Sequence, residues 1–281
     1  MIFVTGANGM VGSYLKEVFG NEELALTDID TFDVRDPVKV MNGIKKLKPG
    51  FVLHLAAETD VDRCENEPDH AFLTNAVGTQ NVALACQETG AIMVYVSTAG
   101  VFGGEKTSPY TEFDQPAPVN VYGRAKWEGE KITQALLKRY YIVRAGWMIG
   151  GGREKDKKFV GKITRQFGEK DRILAVNDKI GSPTYARDLV EGIKKLIATG
   201  YFGLYHMTNN GVCSRFDVAV EIGKILGKKI PVEPVPSSVF PLPAPRADSE
   251  AMRNYKLELL GVHRMRPWQD ALREYLNNWM Q

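Results

Sequence analysis

Thr5-Gly6-Ala7-Asn8-Gly9-Met10-Val11-Gly12 is the stretch of sequence that decides the fold. It follows a short apolar run at residues 2–4 and precedes a helical pattern in which Val11, Leu15 and Val18 would share one face. A buried strand, a tight turn and a helix are therefore predicted here in that order.

The glycines of this turn indicate what it can bind. Gly6 removes a side chain where the turn is tightest, Gly9 where a pyrophosphate would approach the backbone, and Gly12 where the helix presses on the strand. The helix N-terminus would offer its free N–H groups to the phosphates. Glycine-rich turns also join strands to helices in α/β proteins that bind no nucleotide. Asp28, which ends a second predicted strand at 24–26, adds a carboxylate for the adenosine ribose hydroxyls, and the combination predicts dinucleotide binding.

The composition excludes several other classes of protein. The 281 residues carry a net charge of only +2, so no nucleic-acid partner is expected. The three cysteines form no CxxC pair and show no metal-ligand spacing, which is typical of a protein in a reducing compartment. Met1 opens directly onto a strand, and no apolar run approaches the length of a membrane span. We expect a soluble cytoplasmic protein without a membrane or metal partner.

Further apolar runs at 51–55, 92–96 and 141–144 alternate with helical patterns. Near-continuous apolar strands between helices predict a parallel sheet that is covered on both faces, which is an α/β fold of the Rossmann-type doubly wound class. Ligands of such sheets bind at the carboxyl ends of the strands.

The character of the chain changes beyond residue 150, where a charged segment follows three glycines. We predict a dinucleotide-binding domain over residues 1–150, to which residues 171–200 return, and a smaller C-terminal α/β substrate-binding domain over residues 151–281. Six prolines between 231 and 245 forbid a long helix or a central strand there. That segment is either a loop over a ligand cleft or a plain connector.

A helix predicted to begin near Asn120 carries the only Tyr-x-x-x-Lys of the chain, Tyr122 and Lys126. Residues at this spacing share one helix face, so the ammonium would favour the phenolate and lower the pKa of the tyrosine. A surface Tyr and Lys at this spacing would be unremarkable. In a dinucleotide-binding fold, Tyr122 becomes a candidate proton donor. Trp147, just past the fifth strand, is either core or the wall of a substrate pocket.

The glycine turn, Ser97-Thr98 after the fourth strand and the Tyr-x-x-x-Lys helix together resemble the extended short-chain dehydrogenase/reductases. Within that superfamily the chain resembles the dTDP-4-dehydrorhamnose reductase family over nearly its whole length. The resemblance is carried by Ala56-Ala57-Glu58-Thr59-Asp60-Val61-Asp62, Glu65-x-Glu67-Pro68, Asn75, Pro118-x-Asn120-Val121-Tyr122-Gly123-Arg124-x-Lys126, Arg144-x-x-Trp147, Gly181-Ser182-Pro183-Thr184 and Gly203-Leu204-Tyr205-His206.

The resemblance implies reduction of the 4-keto group of a nucleotide-linked 6-deoxy sugar by NAD(P)H, in the biosynthesis of deoxysugars and cell-surface polysaccharides. It implies a possible homodimer and assigns catalysis to Thr98, Tyr122 and Lys126. The implied cofactor contacts are Gly6, Gly9, Met10, Val11, Gly12, Asp28, Asp33, Val34, Ala56, Ala57, Tyr122 and Lys126. The implied substrate contacts are Thr98, Trp147 and Arg246.

The cofactor would be NAD(H) or NADP(H). Asp28 is not followed directly by an arginine, and its carboxylate would repel a 2′-phosphate, which favours NADH. Arg35 could nevertheless contact that phosphate. No metal is expected, since the positions that match a metal site in some family members are Tyr14 and Arg187.

The chain also departs from the family pattern. Ala99-Gly100 stand where the family commonly has Asp-Tyr, which would widen and depolarise the sugar pocket. Two other functions stay open: a 4-epimerase that keeps NAD bound, and a non-catalytic nucleotide-binding regulatory subunit.

Overall fold

The computed structural model describes residues 1–262 and 264–279, so His263, Met280 and Gln281 of the predicted substrate-binding domain lie outside it. The strands are β1 (Ile2–Thr5), β2 (Leu24–Leu26), β3 (Phe51–His54), β4 (Ile92–Thr98), β5 (Tyr140–Ala145), β6 (Trp147–Ile149), β7 (Ile173–Val176), β8 (Ile180–Gly181), β9 (Pro183–Tyr185), β10 (Gly203–His206), β11 (Cys213–Ser214), β12 (Val232–Val235) and β13 (Ser249–Glu250).

The helices are α1 (Leu15–Phe19), α2 (Pro37–Leu47), α3 (Val61–Asn66), α4 (Pro68–Phe72), α5 (Gly78–Thr89), α6 (Val121–Leu136), α7 (Gly152–Lys155), α8 (Phe159–Gln166), α9 (Ala186–Ile197), α10 (Arg215–Ile225), α11 (Tyr255–Leu260) and α12 (Trp268–Trp279). A π-helical turn, Leu73–Val77, joins α4 to α5. Short 3₁₀ turns are formed by Gly12–Tyr14, Ala99–Val101 and Ser237–Val239.

Six parallel strands form the main sheet, in the order β10-β5-β4-β3-β1-β2. Strand β2 pairs with one edge of β1, and the chain then crosses over so that β3 pairs with the other edge. This reversal creates a crevice at the carboxyl ends of β1 and β3, which is where ligands bind in doubly wound sheets.

Both faces of this sheet are buried. Along β1, Ile2 and Val4 pack in one core with α1 and α9, whereas Phe3 packs in a second core with α2 and α5. Side chains of a strand alternate between faces, so a strand covered on both sides must be apolar throughout, as β1 is. The predicted Rossmann-type α/β class is confirmed.

Residues beyond β6 build small sheets around a third core, which contains residues of α8, α10 and α12. The sheets are the parallel pairs β7–β12 and β6–β9 and the three-stranded sheet β11-β8-β13. Residues 171–200 divide between the two parts of the chain: β7 belongs to a small sheet, whereas α9 packs against α1 beside the main sheet. Strand β10 closes one edge of the main sheet. The division into a dinucleotide-binding domain and a substrate-binding domain stays a prediction.

Side-chain caps fix where several helices begin. Asp36 accepts hydrogen bonds from the backbone N–H groups of Val38 and Lys39 at 3.0 Å. Asn120 accepts one from Gly123 N at 2.8 Å and so starts α6. Ser214 caps α10 as part of a capping box with Asp217.

The proline-rich segment 231–245 contains β12, which pairs with β7 alone. A strand at the edge of a two-stranded sheet tolerates proline, because its missing N–H is not needed for a second neighbour. No helix in the described part of the chain is both long and apolar enough to cross a membrane.

We predict that Gly12→Ala destabilises the protein. A Cβ at Gly12 would lie 2.0 Å from the Ala7 carbonyl oxygen, so the turn and helix must move apart. We expect the free energy of unfolding in urea to fall by about 2–3 kcal/mol. The matched control is Gly50→Ala, where the nearest atom would lie 3.9 Å away, and it should change stability by less than about 0.5 kcal/mol. Equal stability of the two variants would contradict the close approach.

Candidate active site

One cavity of about 860 Å³ lies at the carboxyl ends of the main sheet and extends to the small sheets. Its wall contains every residue that the sequence analysis assigned to a site except Gly12, which is buried behind the turn against Ala7. The glycine turn, the end of β4 and the start of α6 therefore face a common space. This arrangement brings together residues that are more than 100 positions apart in the sequence, such as Gly6 and Trp147.

The turn after β1 exposes bare backbone to this cavity. Gly6 has a φ of +72°, and a Cβ there would lie 2.6 Å from the backbone nitrogen of Ala56. Only glycine meets both conditions without strain. At the end of the neighbouring strand, Asp28 accepts hydrogen bonds from Asn8 N at 2.7 Å and Ile29 N at 2.8 Å. A turn with glycine at positions 6 and 9 beside a fixed carboxylate fits the diphosphate and adenosine ribose of a nicotinamide dinucleotide.

Asp33 and Arg35 form an ion pair at the same end of the cavity. Arg35 Nε lies 2.9 Å from Asp33 Oδ1, and Arg35 Nη2 lies 2.7 Å from Oδ2. The hydrogen bond to Arg35 lowers the pKa of Asp33. The guanidinium charge is thus matched by a carboxylate before any ligand binds.

Thr98 and Tyr122 meet where β4 ends. The Thr98 hydroxyl accepts a hydrogen bond from Gly100 N at 3.0 Å, and it also shares one with the hydroxyl of Tyr122. Burial, with a smaller contribution from the negative charge of Glu250, raises the pKa of Tyr122 to about 12 against the opposing hydrogen bond to Thr98. Tyr122 therefore keeps its proton at neutral pH.

Lys126 is 3% exposed and points away from solvent. Its Nζ donates a hydrogen bond to the carbonyl oxygen of Val96 at 2.8 Å and lies 4.1 Å from the centre of the Tyr95 ring. Burial lowers the pKa of Lys126 to about 7, although Glu130 favours the charged form.

The expectation that Lys126 holds the pKa of Tyr122 below its usual value is wrong for this structure. Among the groups that act most strongly on Tyr122, only Thr98 lowers its pKa. Burial of the phenol outweighs that effect, because an anion loses more solvation than a neutral phenol when water is excluded.

A buried ion pair between Arg144 and Glu130 lies next to the end of β4. Arg144 binds Glu130 through two hydrogen bonds of 2.9 and 2.6 Å, and Ser97 donates a third to Glu130 at 2.6 Å. The Arg and Glu side chains are 3% and 2% exposed. The three residues tie β5, α6 and β4 together directly beneath the cavity.

Trp147 forms part of the opposite wall. Its Nε1 donates a hydrogen bond to Glu250 Oε2 at 2.8 Å, and the Arg215 guanidinium lies 3.6 Å from the centre of its ring. Burial lowers the pKa of Arg215 to about 10, while the nearby carboxylate of Glu250 raises it. A Cβ at Gly181 would lie 2.3 Å from the indole, so glycine makes room for the ring.

Arg246 lines the cavity nearer the small sheets. Its Nη2 donates to Asp62 Oδ1 at 2.9 Å and its Nη1 to the Ala244 carbonyl at 2.7 Å. Lys179, also in the cavity wall, donates to the Arg246 carbonyl at 3.1 Å. Both side chains are also paired with carboxylates, Arg246 with Asp62 and Lys179 with Asp248 at 2.6 Å, so two basic groups held in ion pairs border this end of the cavity.

Several lining residues were not identified from the sequence: Lys158, Phe159, Arg215, Phe240, Leu242 and Glu250. Phe240 and Leu242 belong to the proline-rich segment. Its interpretation as a loop over a ligand cleft was the one sequence feature that could have indicated them as lining residues. Arg215 and Glu250 stand in no recognisable motif.

Tyr14 and Arg187 make other contacts. Tyr14 packs edge-on against Tyr185, and Arg187 pairs with Glu17 at 2.7 Å. Residues 1–262 and 264–279 contain no group of three or more His, Cys, Asp or Glu side chains that could hold a metal ion.

We predict that Arg144→Met unfolds the protein more readily, because the buried Glu130 carboxylate is left without its cation. The free energy of unfolding should fall by about 3–5 kcal/mol, and the double variant Arg144→Met/Glu130→Leu should recover much of that loss. Lys131→Met, which breaks an exposed pair with Glu128, is the control and should cost less than about 1 kcal/mol. A double variant no more stable than Arg144→Met would contradict this account.

The similarity to known proteins extends over the whole chain. The RmlD substrate binding domain family matches residues 1–281. The chain is 37% identical to the dTDP-4-dehydrorhamnose reductase of Mycobacterium tuberculosis, over 96% of this chain and 90% of the relative. Among solved structures, the dTDP-4-dehydrorhamnose reductase of Clostridium acetobutylicum is 36% identical with a TM-score of 0.95, covering 100% of this chain and 99% of that one. The Bacillus anthracis enzyme of the same name, in complex with NADP, is 36% identical with a TM-score of 0.93 and covers 99% of this chain and 98% of its own. The chain belongs to the RmlD substrate binding domain family.

Proposed function

We propose that this protein reduces the 4-keto group of a nucleotide-linked 6-deoxy sugar with NAD(P)H, in the biosynthesis of dTDP-rhamnose or a related deoxysugar for surface polysaccharides. The observation that carries this proposal is that Thr98, Tyr122 and Lys126 line the same cavity as the glycine turn. The reductase names of the relatives support the same reaction.

The residues at the sheet end of the cavity would hold the cofactor. The backbone from Gly9 to Val11 would face the diphosphate, Asp28 the adenosine ribose, and Ala56 and Ala57 the flat rings that need close approach to backbone. Asp33 and Val34 would border the adenosine. When bound, the nicotinamide supplies a hydride to the carbonyl carbon.

Tyr122 is the proposed proton donor to the carbonyl oxygen. Its raised pKa keeps the phenol protonated, and the Thr98 hydroxyl that shares a hydrogen bond with it would orient the same oxygen. Lys126 would hold the nicotinamide ribose through its Nζ. In its charged form it would also stabilise the phenolate that Tyr122 leaves behind.

The far end of the cavity would hold the substrate. Trp147 would contact the sugar ring from the cavity wall, and Arg246 would contact the nucleotide diphosphate. A homodimer stays a prediction, which sedimentation or light scattering would test.

We propose NADH as the slightly favoured cofactor, with NADPH also used. The Asp28 carboxylate disfavours a 2′-phosphate, and the charge of Arg35 is matched by Asp33. The Bacillus anthracis relative binds NADP, so use of both cofactors fits the proposal.

We predict that Tyr122→Phe lowers kcat at least about 100-fold, because it removes the general acid and leaves the ring in position. Affinity for NADH should stay within about threefold. Absorbance of NADH and NADPH would be followed with 4-keto-6-deoxy sugars linked to dTDP, UDP, GDP or CDP. Tyr201→Phe, at an exposed phenol outside the cavity, is the matched control and should keep full activity.

Three results would count against this function. Unchanged turnover of Tyr122→Phe would remove the tyrosine from its role. Tightly bound NAD in the purified protein, with interconversion of sugar epimers, would favour a 4-epimerase. A stoichiometric protein partner, with neither NADH nor NADPH consumed on any of these sugars, would favour a regulatory subunit.

We predict that Asp28→Ser raises the ratio of kcat/KM for NADPH to that for NADH by about tenfold, which corresponds to ~1.4 kcal/mol of removed repulsion. The control is Asp30→Ser, an exposed carboxylate two positions away that is outside the cavity wall, and its ratio should not change. A wild-type protein with a strong preference for NADPH would contradict the assignment of Asp28.

A further inference from the structure

Gly100 is a buried residue next to Thr98 and Glu250, which both line the cavity. A Cβ at this position would have Thr98 Oγ1 at 3.4 Å and Glu250 Oε1 at 3.7 Å as its two nearest neighbours. A hydroxyl and a carboxylate therefore both lie close to the position that a Cβ of residue 100 would occupy. No side chain of residue 100 separates them.

The Glu250 carboxylate is held in a defined position. It lies on β13, where it pairs with Gly181 of β8, and its Oε2 accepts the hydrogen bond from Trp147 Nε1. The indole is in turn confined between Gly181 and the Arg215 guanidinium. The backbone register and the indole together fix the carboxylate, so that Oε1 faces the space beside Gly100.

This carboxylate retains capacity to bind a ligand. A carboxylate offers about four acceptor positions, and the Trp147 bond uses one of them on Oε2. Glu250 lines the cavity, and its charge acts on both Tyr122 and Arg215. The charges of Glu250 and Arg215 oppose each other, so this part of the wall suits a neutral, hydroxylated ligand better than an anionic one.

We propose that Glu250 is a specificity-determining residue, whose Oε1 accepts a hydrogen bond from the sugar hydroxyl next to the carbonyl group bound by Thr98 and Tyr122. This inference rests on the proposed function. In a 4-keto-6-deoxy sugar, the neighbouring carbon that bears a hydroxyl is carbon 3. The substrate class is therefore a neutral keto sugar with a free 3-hydroxyl, and sugars that lack or block this hydroxyl are disfavoured.

The test compares two substrates with the same nucleotide: the 4-keto-6-deoxy sugar and its 3-deoxy analogue. Wild-type protein should favour the hydroxylated sugar in kcat/KM by about 10- to 100-fold, as expected for a charge-assisted hydrogen bond to a substrate hydroxyl. Glu250→Gln should lower kcat/KM at least about tenfold for the hydroxylated sugar, and less than about threefold for the analogue. Glu233→Gln, on β12 and outside the cavity wall, is the matched control and should change neither value.

The outcomes separate this inference from the proposed function. A wild-type protein that reduces both sugars equally well overturns the role of Glu250, whether or not the variant folds. An equal loss on both sugars in Glu250→Gln, with the NADH affinity retained, also overturns it and indicates a structural role through Trp147. If wild-type protein consumes neither NADH nor NADPH with any keto sugar, the proposed function fails, and this inference fails with it.

Discussion

Helix α6 lies so close to β4 and to the 3₁₀ turn that follows it that only glycine fits at two of its positions. A Cβ at Gly123 would lie 2.1 Å from the Gly100 carbonyl oxygen, and a Cβ at Gly129 would lie 2.5 Å from the Tyr95 hydroxyl. This approach sets the depth at which Tyr122 and Lys126 sit beside the strand end. Both side chains lose water there, so the same contact raises the pKa of the phenol and lowers the pKa of the ammonium.

Such burial is tolerable only because the charged groups are matched by other polar atoms. Lys126 has the Val96 carbonyl and the Tyr95 ring, with the Glu130 carboxylate favouring its charged form. Glu130 itself is bound by Arg144 and by a serine hydroxyl. A buried network of this kind has little freedom to rearrange, because every move leaves a charge without a partner. The polar groups beneath the site are therefore oriented before any substrate arrives, which is the condition for electrostatic preorganisation.

The sequence is sufficient to predict those features of this protein that depend on residues close to one another along the chain. Gly6 and Asp28 are recognisable because a strand, a turn and a helix follow one another within a short span, and Tyr122 because helical spacing is local. The electrostatic state of Tyr122 was not predictable in this way. Its pKa depends on how deeply α6 is buried, and that is a property of tertiary packing rather than of the distance to Lys126 along the helix.

The residues missed by sequence reasoning share a physical cause. Glu250 stands in a strand of two residues whose register against β8 is fixed by long-range pairing, and no periodic pattern marks so short an element. The wall that contains Tyr122 and the wall that contains Glu250 are thus held by different contacts. Close helix–strand contact leaves little room for change around Tyr122, whereas short strands on the other side can exchange one polar side chain for another. Gly100 is an example: in the turn after β4 it has no side chain, and a carboxylate from β13 borders the position that such a side chain would fill. In this chain the carboxylate beside Thr98 thus comes from β13, whereas the hydroxyl, the phenol and the ammonium come from β4 and α6.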